Sequence, residues 1–195
     1  MKKLADITTL RNGFSFRGRI ESENTGDTLV IQVGDISEDG VVDTSKLACI
    51  HLGSKASKYL VGTNEVLYVS RGSRQRAYKP VFTTVTEMPV ITVFGILVLS
   101  PDLDQVTPEY LTWVLNSAPV EHAIKARTEG TNLTFISDKN LKDVAVPLPD
   151  LQTQKKISHL LSIHSKRKSV RKKLAEIDEK IMQSIVLSMA TGKTK

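Results

Sequence analysis

The chain has 195 residues, of which 40% are apolar and 25% charged, with a net charge of +6. This allows one domain with an appendage, or two small domains. No stretch approaches the roughly 18 apolar residues of a membrane span, no apolar run follows Met1-Lys2-Lys3 as a secretory signal requires, and a single cysteine, Cys49, excludes an internal disulfide and fits a reducing cytoplasm.

The charge is unevenly spread. From Leu151 onward there are 11 Lys/Arg and 3 Asp/Glu, a net of +8, which leaves residues 1–150 at −2. A basic protein suggests nucleic acid, but here any DNA contact by the first 150 residues must rest on local clusters. The basic C-terminal stretch also fits a solvated helix face.

The N-terminus opens on an apolar–polar alternation, Leu4-Ala5-Asp6-Ile7, followed by an Asn12-Gly13 turn signal. Phe14 and Phe16, flanked by Arg11, Arg17 and Arg19, form either a binding loop or a loop anchored to the core. Strands are expected at Thr28–Val33, Val41-Val42 and Leu47–Ile50, with a hairpin-type turn at Asp39-Gly40. The neighbours of Cys49 are apolar, so it reads as a small buried residue, not a nucleophile. After a turn at Val61–Asn64, a strand over Glu65–Val69 leads into Ser70-Arg71-Gly72-Ser73-Arg74-Gln75-Arg76-Ala77-Tyr78-Lys79-Pro80.

That segment holds four basic residues and no acid. Arginine forks onto guanine and glutamine pairs with adenine in the major groove. Basic side chains also neutralise phosphates, and hydroxyls position the backbone. Arg71, Ser73, Arg74, Gln75, Arg76, Tyr78 and Lys79 are therefore candidate DNA contacts. The alternative is a hairpin tip kept soluble by charge. The glycine spacing is not that of a phosphate loop.

Val81–Thr86 reads as a strand, and the nearly all-apolar Val90–Leu99 as one central strand buried on both faces. Thr107 caps a helix with Pro108 at its first position, and Tyr110, Leu111, Val114 and Leu115 form its apolar stripe. A second helix is expected from Val120 to about Ala126. A polar loop, Arg127 to Ser137, then closes into a short helical turn at Ser137–Leu141. Arg127, Thr131 and Asn132 in this loop join Arg17 and Arg19 as further candidate DNA contacts.

A last short strand runs into an elbow at Pro147-Leu148-Pro149, where Asp150 can cap the next helix. From Leu151 to about Met189 there is neither proline nor glycine, a span of roughly 58 Å if helical. Leu160, Ile163, Arg167, Val170, Leu174, Ile177, Ile181 and Ile185 recur at steps of 3, 4, 3, 4, 3, 4 and 4. This is a heptad-like seam, with Lys166, Lys168, Lys172 and Lys173 lying off it. Such a helix needs a partner helix, from another chain or from itself through a hinge near Ser165.

Pro147-Leu148-Pro149-Asp150-Leu151-Gln152-Thr153-Gln154-Lys155-Lys156-Ile157, with the helix it launches, resembles the specificity subunit of type I restriction-modification enzymes. In that family a target-recognition domain ends in Pro-Leu-Pro-x-Leu-x-x-Gln-x-x-Ile. Leu4-Ala5-Asp6-Ile7, Asn12-Gly13-Phe14-Ser15-Phe16, Val33-Gly34-Asp35-Ile36 and Gly130-Thr131 are similar to the family as well. The resemblance covers nearly the whole chain. It implies a mixed α/β (α+β) target-recognition domain at residues 1–146, then an elbow and one long coiled-coil-type helix at 147–195. The family's subunit is about twice this length, with two recognition domains and two long helices, so the chain resembles a half-subunit.

The resemblance implies double-stranded DNA and a methyltransferase subunit as partners and admits a restriction subunit. It also implies a homodimer that reads a split target, with no cofactor. The dimer and partner helix would use Leu160, Ile163, Val170, Leu174, Ile177, Ile181 and Ile185. No chemistry of the chain's own is expected. The Asn/Asp-Pro-Pro-Tyr/Phe motif of adenine methyltransferases is absent. Asp102 and Asp104 lack a nuclease-type Glu-x-Lys, and His51, His122, His159 and His164 lack metal-ligand spacing. Gly192-Lys193-Thr194 ends like a Walker motif, but Leu187 stands where its first glycine belongs. An enzyme with unrecognised motifs, and an interaction module with a coiled-coil arm and no DNA role, are the competing classes.

Overall fold

A computed structural model describes residues 1–23, 25–130 and 134–191. The chain divides into two compact units, Met1–Gln154 and Lys155–Lys195. The strands of the first are β1 (Lys2–Lys3), β2 (Thr8–Asn12), β3 (Thr28–Ile31), β4 (Val41–Val42), β5 (Ala48–Ile50), β6 (Val66–Val69), β7 (Arg76–Tyr78), β8 (Val81–Phe82), β9 (Val90–Thr92), β10 (Ile96–Pro101) and β11 (Ala145–Val146). Its helices are α1 (Pro108–Leu115), α2 (Ala118–Lys125) and α3 (Asp138–Lys142), and α4 (Leu151–Thr191) starts within it. The fold is mixed α/β, with a long C-terminal helix.

The centre is a four-stranded antiparallel sheet of order β2-β10-β6-β7. Ile96, Leu97, Val98 and Leu99 of β10 are all buried, because the strand has neighbours on both edges and cover on both faces. A second sheet, β5-β3-β9, pairs β3 antiparallel to β5 and parallel to β9. β4 with β8, and β1 with β11, make two-stranded pairs. Helix α1 packs against β6 and β7. It buries Tyr110, Leu111, Val114 and Leu115, the stripe its sequence spacing predicts, and leaves Trp113 partly exposed.

Several local signals form as expected. The Thr107 hydroxyl accepts the Tyr110 amide, and Ser137 caps α3 through the Asn140 amide. The Asp39-Gly40 turn closes a bridge between Ile36 and Val42, with Gly40 at φ 80°. Phe14 and Phe16 do anchor their loop to the core: the Phe14 ring lies 4.7 Å from that of Phe16 and 5.1 Å from that of Tyr59. Arg11 lies in β2, where Glu65 holds it at 2.6 Å.

Other expectations are corrected. Val90–Leu99 is two strands in two sheets. Phe94-Gly95 turns the chain between them, with Gly95 at φ 100°. Val81–Thr86 is a strand only at Val81–Phe82; beyond it the Thr86 hydroxyl accepts the Met88 amide two residues on, and the Thr84 hydroxyl bonds that of Thr44. Leu4–Asp6 is a 3-10 turn, not an extended alternation, closed by the Asp6 carboxylate on the Lys3 amide.

The elbow is tied to the body by named bonds. The Tyr110 hydroxyl donates to the Pro147 carbonyl at 2.9 Å. Asp150 accepts from the amide and the hydroxyl of Thr153, and these bonds hold its carboxyl below the usual carboxylate range. Gln154, fully buried, accepts the Thr107 amide at 2.9 Å and donates to the carbonyls of Gln105 and Pro149, both at 2.8 Å. Helix α4 runs unbroken from Leu151 to Thr191, so no hinge forms at Ser165.

Gln154→Leu fills the same space but leaves the Thr107 amide and two carbonyls without partners. It is expected to destabilise the body by about 1–3 kcal/mol. Urea unfolding should show a lower midpoint at an unchanged slope.

Candidate nucleic-acid interface

The register Leu67↔Tyr78, Tyr68↔Ala77, Val69↔Arg76 makes β6 and β7 a hairpin with residues 70–75 at its tip. Three stretches distant in sequence meet there. The amide and hydroxyl of Ser70 both donate to the Gly95 carbonyl at 2.9 Å, and Ser70 is buried. The Ser70 carbonyl accepts the Ile136 amide at 2.9 Å, and the Gly72 amide donates to the Thr134 carbonyl at 2.8 Å. Phe135 in turn exchanges both backbone bonds with Glu129. The described parts of the polar loop, 127–130 and 134–137, are therefore held against the basic hairpin, with Gln75 reaching Thr128 and Thr134 at 3.4 Å.

Arg71 sits where the three stretches meet. Its guanidinium carbon lies 4.5 Å from the Phe94 ring centroid and 5.6 Å from that of Phe135. Arg71 has no carboxylate partner among the described residues. Gly95 allows the approach: a Cβ there would stand 3.3 Å from the Arg71 Cδ.

The remaining predicted contacts divide. Ser73, Arg74 and Arg76 are exposed at the tip or its base. Arg74 pairs with the exposed Glu38 at 3.3 Å, and such a surface pair holds it weakly. Lys79 is paired with Glu109. Burial would raise the Glu109 carboxyl, but the Lys79 ammonium and Glu109's own backbone amide together hold the group below its ordinary range. Tyr78 is 4% exposed and belongs to the core beside Leu67, so it is removed from the surface set. Its burial follows from the hairpin register, which aims it into the sheet's packed side.

Arg127 is exposed and folds back onto the Ala123 carbonyl at 2.9 Å. Arg17 and Arg19 are exposed beyond the Phe14–Phe16 anchor, and no bond joins them to the tip. Thr131 and Asn132 lie outside the described residues. Sequence reasoning passed over Phe94, Gly95, Thr134, Phe135 and Asn116. The Asn116 carboxamide pairs with both backbone groups of Ala77, at 2.9 and 2.7 Å, so the end of α1 steadies β7. An isolated glycine inside an apolar strand pattern, Phe94-Gly95, was the available signal.

No group of His, Cys, Asp or Glu among the described residues could hold a metal ion. None of the described helices is long and apolar enough to cross a membrane. The site is a cluster of hydrogen-bond donors and positive charge on a rigid hairpin, the chemistry of phosphate and base-edge contact.

Comparison with known proteins gives the family of the chain. The type I restriction modification DNA specificity domain family matches residues 1–179. The chain belongs to that family. Comparison with curated proteins finds no match. Among solved structures, the type I restriction-modification system S subunit from M. genitalium is similar at a TM-score of 0.57 and 15% identity, over 92% of this chain and 42% of that one. The HsdS subunit from Thermoanaerobacter tengcongensis gives 0.62 and 19%, over 88% and 38%. A structure described as the basis of complex assembly and conformational transition of the type I R-M system gives 0.67 and 17%, over 93% and 42%. At these identities the likeness is one of fold, and this chain spans about two fifths of their length.

Gly95→Ala forces a side chain into a left-handed backbone and against Arg71. A loss of about 1–3 kcal/mol is expected in denaturant unfolding. Gly34→Ala, in open space, should lose much less.

Proposed function

We propose that this chain is a non-catalytic DNA-recognition subunit of a type I restriction-modification system, acting in the cytoplasm. Residues 1–146 read a few base pairs of one half of a split target. The elbow and helix at 147–195 pair with a second copy and recruit methyltransferase subunits. The observation that carries the reading is the hairpin tip, where Arg71, Arg74 and Arg76 lie exposed on a backbone fixed by three stretches of chain.

The pairing rests on α4. Leu160, Ile163, Val170, Leu174, Ile177, Ile181 and Ile185 are between 43% and 67% exposed, all along one seam. An antiparallel second copy matches this seam to itself. Ile163 then faces Ile181, Arg167 faces Ile177 and Val170 faces Leu174. A parallel pair would instead set Arg167 against its own copy inside the seam. The antiparallel crossing gathers Arg171 and Lys173 from both copies, so salt should strengthen the pair by screening them.

Two outcomes test the proposal. Arg74→Ala and Arg76→Ala should each reduce the dependence of log K on log salt by about 1 for duplex DNA, measured by fluorescence anisotropy. An unchanged slope would leave an interaction module with no DNA role. Val170→Asp with Leu174→Asp should convert a micromolar dimer to monomer in sedimentation velocity. A wild-type monomer across all salt concentrations rejects self-pairing.

A further inference from the structure

We infer that Arg71 is the base-reading residue of the hairpin and that Phe94 and Phe135 are positioning residues that hold its guanidinium plane. The inference rests on the DNA-recognition reading above and goes beyond it by separating one specificity-determining side chain from the charged residues around it.

The basic residues of the hairpin differ in what occupies them. Lys79 is paired with Glu109, Arg74 with Glu38. Arg76 has no carboxylate partner among the described residues and stands exposed at the start of β7. Arg71 alone is held without a carboxylate: its partners are the two rings, at 4.5 and 5.6 Å. The difference matters chemically. A carboxylate occupies the in-plane N–H groups of a guanidinium, whereas an aromatic ring covers its face and leaves those donors free. Stacking also fixes side-chain torsions before binding, so less freedom is lost when a base is engaged.

The frame around Arg71 is rigid. Ser70 is bonded through amide, hydroxyl and carbonyl to Gly95 and Ile136, and Gly72 to Thr134. Phe94 is 46% exposed although it stands next to a fully buried strand. Its ring gains little there from burial, and its contact with Arg71 gives the exposure a use. A flat, preorganised donor fork without a competing acid suits the paired acceptors O6 and N7 of guanine in the major groove.

The test uses the full chain and a pool of randomised duplex DNA, with selection followed by sequencing. Wild type should enrich a short motif containing a guanine. Arg71→Lys keeps the charge but not the fork, so it should lose roughly tenfold to a hundredfold preference at that one base pair and keep the others. Phe94→Leu keeps apolar bulk without the π face and should lose preference at the same position. Phe94→Trp should restore it, which a merely structural role would not produce. Thermal melts of each variant separate misfolding from misreading.

Equal weakening at every position, or no change at any, would overturn the assignment while leaving DNA recognition standing. Failure of the wild type to enrich any motif, or to bind duplex at all, would reject both the assignment and the recognition reading.

Discussion

The structure depends on one buried carboxamide. Gln154 has one acceptor and a pair of donor hydrogens, and all are used inside the body. A buried amide left unsatisfied is penalised heavily, so the group can rest only where those partners converge. Its partners come from the segment entering α1 and from the elbow, and its own backbone belongs to the first turn of α4. A single side chain therefore ties the first turn of α4 to the segment entering α1. The prolines make the elbow stiff, Asp150 starts the helix, and Tyr110 holds the Pro147 carbonyl from the side. Remove the glutamine and each remains locally sensible, but the hydrogen bonds from the first turn of α4 to Thr107 and Gln105 before α1 are lost.

A second constraint governs the hairpin. Its tip carries no apolar side chain able to fold it, and charge alone would leave it mobile. Order comes from backbone bonds to the Phe94-Gly95 turn and to the strip around Phe135. Those same elements supply the rings that flank Arg71. Folding and display of the guanidinium are thus one event. The split of Val90–Leu99 into β9 and β10 is what makes this possible, since an uninterrupted strand would have no turn to place beside the tip.

What the sequence made legible was local. Thr107 before Pro108, Ser137 before α3, Asp150 after the prolines and the turn at Asp39-Gly40 each act within a few residues, so reading the chain in order finds them. The seam of α4 was legible for a similar reason, because its period lies in the sequence. The basic hairpin was legible as composition, but not its internal division of roles. Tyr78 looked like part of a polar loop until strand register placed it against Leu67. Gln154 appeared only as one letter of a resemblance, since its three partners lie up to 49 residues away. Phe94 was hidden in an apolar run whose break depends on a single glycine. Long-range pairing decides all three, and neither periodicity nor propensity reports it.

The distribution of charge completes the physical picture. Residues 1–150 carry a net charge of −2, so the body as a whole has little attraction for a polyanion. Many of its cations are already committed: Arg11 to Glu65, Lys3 to Asp143, Lys79 to Glu109. Arg71 and Arg76 of the hairpin have no carboxylate partner among the described residues, and neither do Arg17, Arg19 and Arg127 elsewhere on the body. On the proposed reading, such a domain gains little non-specific affinity from phosphates and draws a larger share of its binding from base contacts. On the proposed reading, one such domain binds weakly by itself, and two copies joined through their helices bind usefully only where both half-sites are present at the right spacing. Weak single-site affinity then makes recognition of a split target sharper, because neither half-site alone can hold the pair.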